Sequence, residues 1–417
     1  MNIGIVTTWF ERGAAYVSKA YEQALSKEFN VYIYARGGEV CAKGDPVWDR
    51  PNVTFAPGWG SRIYQGDSSM SRTHLFSWII RNKIKVIIFN EQRDFSIVKD
   101  CSKFGVTVGA YIDYYKKDTV SSFKCYDFLL CNTRRHLSVF NWHRNCFFIQ
   151  WGADTKLFQP VKNNYLTRKE AVFFHSAGYG GFNCRKGTDI LIKSFQKVKG
   201  PSRLVIHSQV PIAKYGKDIQ EIVESDERIE FLQKTVPAPG LYYLGDIYVY
   251  PSKLEGIGLS VSEALSCGLP VITTDTAPMN EFVTPGYNGN LIKVTAHIKR
   301  SDNYYWPESV IDERDLVCKM QSYIDKHDLI DIQKYNARES AINYFDWSKN
   351  SGQLCGYIKK VCVYRKPTKF FLFLTVKFLI QDFLRFSLFK IHKLIKYFLL
   401  LSKSYCVSKI SRRCDIV

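Results

Sequence analysis

Between Asp246 and Thr274 the chain runs through a strand, a glycine-bearing loop, a short helix and a second strand, and few folds accommodate that order. Asp246 to Tyr250 reads as the first strand. The loop Glu255-Gly256-Ile257-Gly258 follows it. Leu259 to Cys267 has helical character, Gly268 ends it, and Pro270 opens the strand Val271 to Thr274. Loop glycines let main-chain N–H groups approach a ligand closely, and a helix N-terminus behind them favours an anion. Glu255 and Glu263 bracket the loop with seven residues between them. Carboxylates in those positions can grip hydroxyls on either side of a diphosphate. The ligand this suits is a nucleotide-sugar. The plainer alternative is a turn shaped by Gly256 and Gly258, with Glu263 complementing the helix dipole.

The rest of the chain repeats the alternation. Ile3 to Thr7, Val31 to Ala35, Lys85 to Asn90, Val106 to Ile112 and Phe128 to Cys131 read as strands. Helical stretches at Ala14 to Lys27, Ser71 to Asn82 and Phe95 to Phe104 separate several of them, and another begins at Asn132-Thr133. Such alternation argues a doubly wound sheet, whose ligand crevice lies at the strand ends. Two of those ends carry acids, Glu91 and Asp113. Asp113 either faces the crevice or caps the next segment. In the loop-rich segment 37–65, Trp48, Trp59 and Tyr64 are candidates for an acceptor rim or for local packing. Val172 to Ala177 opens a second series of strands, followed by a loop with Gly178, Arg185, Lys186 and Gly187. Lys299 to Asp315 reads as a polar insertion.

The string Pro251-Ser252 through Glu255-Gly256, Gly258-Leu259, Glu263-Ala264 and Cys267-Gly268-Leu269-Pro270-Val271 resembles the donor site of glycosyltransferase family 4. That resemblance implies an α/β GT-B fold, in which two Rossmann-like domains face a cleft. It implies domains at 1–152 (acceptor side) and 153–345 (nucleotide-sugar binding), and a helix over 346–364 that crosses back to the first. Glu255 would then lie near the donor sugar and Glu263 on the ribose hydroxyls. The backbone of Gly256, Ile257, Gly258 and Leu259 would hold the diphosphate. Lys186 falls where the family keeps a pyrophosphate-binding lysine. The family's arginine after Gly178 is replaced by Tyr179, and Arg185 is the candidate substitute. Gln233 would begin the loop where the base rests. Asp113 stands where many members have a histidine near the reacting centre. The resemblance is strong over Tyr243 to Asn290 and weak in the first 120 residues.

Transfer from such a donor needs a positive cradle for the departing diphosphate. Lys186 and the loop amides supply one, and no Asp-x-Asp metal motif occurs, so the expected enzyme uses neither metal nor cofactor. Retention of anomeric configuration is implied by the resemblance alone. The acceptor would be a carbohydrate or a lipid-linked sugar. A rival of another class is a non-catalytic nucleotide-sugar-binding or scaffold protein of the same fold. The substitutions at the family's histidine and arginine are its best support.

A chain of 417 residues is long enough for two domains with ample core. Its twelve cysteines form no CxxC pair and no Cys/His cluster at zinc spacing, so they read as reduced thiols of an intracellular protein. Met1 to Val6 reads as a strand and not as a secretory leader. Of the formal net charge of +19, +12 lies from Lys359 to Val417, where fourteen Lys/Arg face two Asp. On a helical wheel of residues 370–401, Lys377, Gln381, Asp382, Arg385, His392, Lys393 and Lys396 share one half; Ser387 and Lys390 are exceptions, and Phe, Leu and Ile fill most of the other. Its uncharged runs are shorter than the roughly 20 apolar residues a bilayer needs. The expectation for 365–417 is an interfacial helix on an anionic membrane surface, making the protein cytoplasmic and peripherally membrane-associated. Packing on the protein's own core is the alternative. Nucleic acid is not an expected partner, since so much Phe and Leu would meet a phosphate backbone.

Overall fold

The computed structural model describes residues 1–36, 41–57, 68, 70–161, 170–179, 184–362, 380, 384 and 387. A seven-stranded sheet comprises β1 (Asn2–Thr7), β2 (Asn30–Ala35), β3 (Val53–Phe55), β4 (Ile84–Phe89), β5 (Thr107–Ile112), β6 (Phe128–Cys131) and β7 (Cys146–Phe148). Its order is β3-β2-β1-β4-β5-β6-β7, and every neighbouring pair is parallel. The helices α1 (Gly13–Leu25), α2 (Arg72–Arg81), α3 (Phe95–Lys103) and α4 (Arg134–Phe140) connect these strands. Strands covered on both faces need continuous apolar runs, and β5 is buried at every position.

A second sheet has six strands in the order β10-β9-β8-β11-β12-β13. They are β8 (Ala171–Gly178), β9 (Ser202–Ser208), β10 (Ile229–Gln233), β11 (Ile247–Tyr250), β12 (Val271–Thr274) and β13 (Gly289–Ile292). Between them run α5 (Thr188–Phe195), α6 (Lys217–Ser225) and α7 (Leu259–Ser266). The unit expected around the glycine loop is thus β11, α7 and β12. Asp246 stays outside the strand because its carboxylate takes the Val172 N–H at 3.1 Å and Lys334 Nζ at 2.6 Å.

Residues 299–315 depart from the expected polar insertion. They include the turn of an antiparallel hairpin, β14 (Val294–Ile298) with β15 (Glu308–Ile311). The tip docks on the other sheet's domain: Tyr304 bridges to Lys116, the Tyr305 N–H donates to Tyr115 O at 3.0 Å, and Tyr304 stacks on Tyr114 with centroids 4.9 Å apart. The rings leave water while the flanking charges stay partly exposed and pair with one another, Arg300 with Asp302 at 2.9 Å and with Glu308 at 3.1 Å. Of the two readings for Trp48, local packing holds. It is no rim residue but lies buried, edge-on to Trp9 at 5.3 Å, with its carbonyl accepting from Trp9 Nε1. Trp59 and Tyr64 lie outside the described residues.

Four further helices follow among the described residues up to 362: α8 (Glu313–Asp325), α9 (Asp328–Tyr344), α10 (Trp347–Asn350) and α11 (Leu354–Val361). At α10 the chain returns to the first sheet's domain. Trp347 donates from Nε1 to Ala20 O at 3.0 Å and packs against Tyr21 and Trp151. One hydrophobic cluster therefore contains residues of both sheets, from Ile3 and Tyr21 to Val261 and Trp347. The expected interfacial helix over 365–417 lies outside the described residues apart from Ile380, Leu384 and Ser387. No described helix is long and apolar enough to cross a membrane.

Strand order reverses at β1/β4 in the first sheet and at β8/β11 in the second. Ligand crevices open at the carboxyl ends of strands where order reverses. Loops leaving those four strands carry Thr8 to Arg12, Asn90 and Glu91, Arg185 and Lys186, and Glu255 to Gly258.

Candidate active site

Four donors converge on one oxygen of Glu255. Its Oε1 accepts from Arg185 Nη1, Lys186 Nζ and Tyr250 Oη, each at 2.7 Å, and from Ser252 Oγ at 2.8 Å. No donor among the described residues reaches Oε2. The topology makes this meeting: Tyr250 ends β11, Ser252 follows it, and Arg185 and Lys186 leave the neighbouring β8 before α5. Gly187 permits the close approach. Its φ is +70°, and a Cβ there would meet Pro251 O at 2.2 Å.

Burial would raise the Glu255 carboxyl, but the charges of Arg185 and Lys186 outweigh it and hold the group well below the usual carboxylate range. Lys186 moves the other way: burial brings its ammonium down to about 8, against the pull of Glu255. The Glu255 charge raises Arg185. Glu263, one turn into α7, accepts from Tyr242 Oη at 2.6 Å. Burial lifts its carboxyl above the ordinary value.

The glycine loop enters α7 through Gly258, whose φ of +83° is the left-handed region that glycine tolerates. No side chain caps this helix. Among the described residues, the N–H groups of Gly256, Ile257, Gly258 and Leu259 donate to nothing. Successive unpaired N–H groups at a helix start form a site for an anion. Gly13, at the start of α1, faces this helix: a Cβ on it would lie 3.4 Å from Leu259 Cδ1. Gly178 ends β8 with φ +58°, and Gln233 ends β10, exposed at the sheet edge two strands from β8. The structure does not bring Gln233 to the Glu255 cluster.

Asp113 directly follows β5 on the opposite wall. A Cβ on Gly256 would lie 3.6 Å from the Asp113 carbonyl oxygen and 3.8 Å from its Cβ. It caps no helix. Its Oδ1 takes only the Tyr114 N–H at 2.7 Å, while Tyr304 Oη donates to its carbonyl at 2.9 Å. Burial, and then the charge of Glu91, raise its carboxyl well above the usual range. Glu91 lies just past β4 with φ +47°, and its carbonyl accepts from Arg36 Nη1 at 2.9 Å.

Sequence reasoning missed the first turn of α4. Arg135 donates to the carbonyls of Glu255 and Ala277, and its guanidinium lies 5.0 Å from the Trp306 ring centroid. His136 Nε2 contacts Gly256 O at 2.7 Å and Nδ1 contacts Tyr115 Oη at 3.0 Å. In return Glu281 accepts the Arg134 N–H at 2.7 Å and the Arg135 N–H at 2.9 Å, so it caps a helix of the other domain. The only signal was positional: α4 begins at the carboxyl end of β6, on the crevice side.

Two parallel-sheet domains facing each other across such a crevice make the GT-B fold. Residues 176–300 match the family described as glycosyl transferases group 1. The chain is 30% identical over 149 residues to lipopolysaccharide core biosynthesis mannosyltransferase LpsB of Rhizobium meliloti, covering 32% of this chain and 42% of that one. It is 28% identical over 174 residues to a GDP-mannose-dependent phosphatidylinositol monomannoside mannosyltransferase of Corynebacterium glutamicum, covering 36% and 44%. These matches span less than half the length of either relative. Anabaena HepE, solved with UDP and glucose, superposes with TM-score 0.66 at 15% identity over 86% of this chain and 100% of that one. The resemblance to glycosyltransferase family 4 therefore holds: the family and relatives match in sequence, and the fold likeness extends over both domains.

Proposed function

We propose that this chain is a glycosyltransferase that moves a sugar from a nucleoside-diphosphate-sugar to an acceptor hydroxyl of a glycan, glycolipid or glycoprotein. One observation carries the reading: among the described residues, Oε2 of Glu255 and the four N–H groups of the loop that follows it have no partner, and two cations hold the other oxygen of that carboxylate. In it, the amides of Gly256 to Leu259 and Lys186 take the diphosphate. Oε2 of Glu255 accepts a donor-sugar hydroxyl, and Glu263 accepts the ribose hydroxyls. Arg185 acts through Glu255, which it holds ionised. Gly178 lets its loop turn toward the phosphates, and Gln233 opens the base-side loop. Asp113 faces the reacting centre from the acceptor domain. Charge on the leaving diphosphate is met by Lys186 and main-chain dipoles, so the reading is metal-free. Retention is part of it by family resemblance.

Two relatives are mannosyltransferases, one of them GDP-mannose-dependent by name, which favours a hexosyl donor and puts GDP-mannose first among those to try. The test is nucleotide release by purified protein from GDP-mannose, UDP-glucose and UDP-N-acetylglucosamine. Turnover of one donor that persists in excess chelator and falls in Asp113→Asn is the expected result. Loss of turnover on chelation would refute the metal-free part. Saturable binding without turnover would favour the non-catalytic reading.

The cationic and Phe-rich faces of 365–417 support a cytoplasmic enzyme held on an anionic membrane, beside a lipid-linked acceptor. Full-length protein is expected to sediment with anionic liposomes at low salt, and protein truncated after Tyr364 to stay in solution. Full-length protein that ignores the liposomes would refute the anchor.

A further inference from the structure

We infer that Arg135 and His136 of the first domain are positioning residues for the anion cradle of the second: by holding the Glu255 and Gly256 carbonyls, they aim the Gly256 and Ile257 N–H groups at the donor diphosphate. The inference rests on the donor-site reading above.

In a trans peptide the C=O and the following N–H point opposite ways. Glu255 C=O and Gly256 N–H share one such unit, and Gly256 C=O and Ile257 N–H share the next. Arg135 holds the first carbonyl and His136 the second, at 2.7 Å. Both N–H groups are thereby turned away from α4. Gly256 has no side chain to fix its own peptide planes, so the hold must come from outside the loop.

The hydrogen-bond chain has one direction. The Trp306 indole N–H can only donate, and it reaches Tyr115 Oη at 2.6 Å. The tyrosine proton then goes to His136 Nδ1 at 3.0 Å. That fixes the tautomer with its proton on Nε2, which donates to Gly256 O. Burial, and then Arg135, bring the imidazole down to about 3, so it stays neutral and serves as a fixed donor rather than an acid or base. The chain starts in the hairpin of the second domain, crosses the first and returns to the second domain's loop. Arg135 forms no ion pair among the described residues and spends its contacts on main-chain carbonyls. The cradle therefore keeps this orientation only while the two domains are docked.

The test titrates full-length protein with UDP and GDP and measures donor turnover. His136→Ala is expected to weaken nucleoside diphosphate binding about tenfold, and His136→Gln, which can still accept and donate, to restore it to within about threefold. A role in stability alone would lower Tm and leave affinity unmoved at temperatures where the variant is folded. If His136→Ala fails to fold, Tyr115→Phe decides: it keeps the ring, removes the proton given to Nδ1, and is expected to weaken binding about threefold. Wild-type protein that binds neither nucleotide would overturn the donor-site reading and this inference with it. Wild-type protein that binds, with a folded variant that binds equally well, would overturn this inference alone.

Discussion

Lys186→Ala is expected to lower turnover by about 10²–10³-fold, the usual effect of removing one preorganised donor from a developing anion. Its ammonium contacts Glu255 and the Tyr250 hydroxyl, and the side chain is mostly buried, so water replaces it only in part. Loss of rate with the fold intact, by circular dichroism and melting temperature, is the expected pair of results. A rate within about threefold of wild type would remove Lys186 from the mechanism. The pH dependence of the unaltered protein gives a second view of the same group. Burial brings Lys186 down to about 8 from an ordinary 10.5. Between those values the unfolded chain binds the proton and the folded protein does not, so this group makes stability rise with pH across that window. Donor affinity runs the other way and falls as pH passes about 8, because the neutral amine no longer attracts phosphate. Opposite slopes in denaturation and in binding titrations are the expected outcome.

Glu255→Ala is expected to cost about 3 kcal/mol of stability as well as activity, since it leaves two largely buried cations facing one another. Arg185 and Lys186 both point at the oxygen that is lost. Glu255→Gln keeps the shape and an acceptor without the charge, and is expected to recover part of the stability but little of the turnover. Urea denaturation measures the first quantity and nucleotide release the second. A loss of stability below about 1 kcal/mol would mean that the cations are met by water and that the cluster is a surface feature.

Most of the donor half was legible in the sequence because its chemistry is local. Strand, glycine loop and helix lie within thirty residues, and Tyr250, Ser252 and Glu255 meet at short range. Lys186 stood at its place in the family pattern and Arg185 only as a candidate for an arginine that the pattern puts elsewhere; their joint grip on Glu255 follows from β8 lying next to β11. The acceptor half was less readable. His136 touches a carbonyl 120 residues away, and no spacing announces that. Hydrophobic periodicity tells which face of a helix is covered, not what covers it. Tyr304 to Trp306 shows the same limit: three aromatics among charges read as a solvated insertion, yet they lie against Tyr114 and Tyr115 of the other domain.

The clasp at α4 pairs side chains of one half with main chain of the other in both directions. Arg135 and His136 read the carbonyls of Glu255, Gly256 and Ala277, while Glu281 reads two N–H groups of the helix start. Carbonyls and amides are present whatever residue occupies the position. A substitution at residue 277, or at 134 on the receiving side, leaves the main-chain group of the contact in place, whereas Arg135, His136 and Glu281 act through their side chains. What the two halves ask of each other at this seam is therefore three side chains set against main chain, and little of the chemistry of the residues they touch.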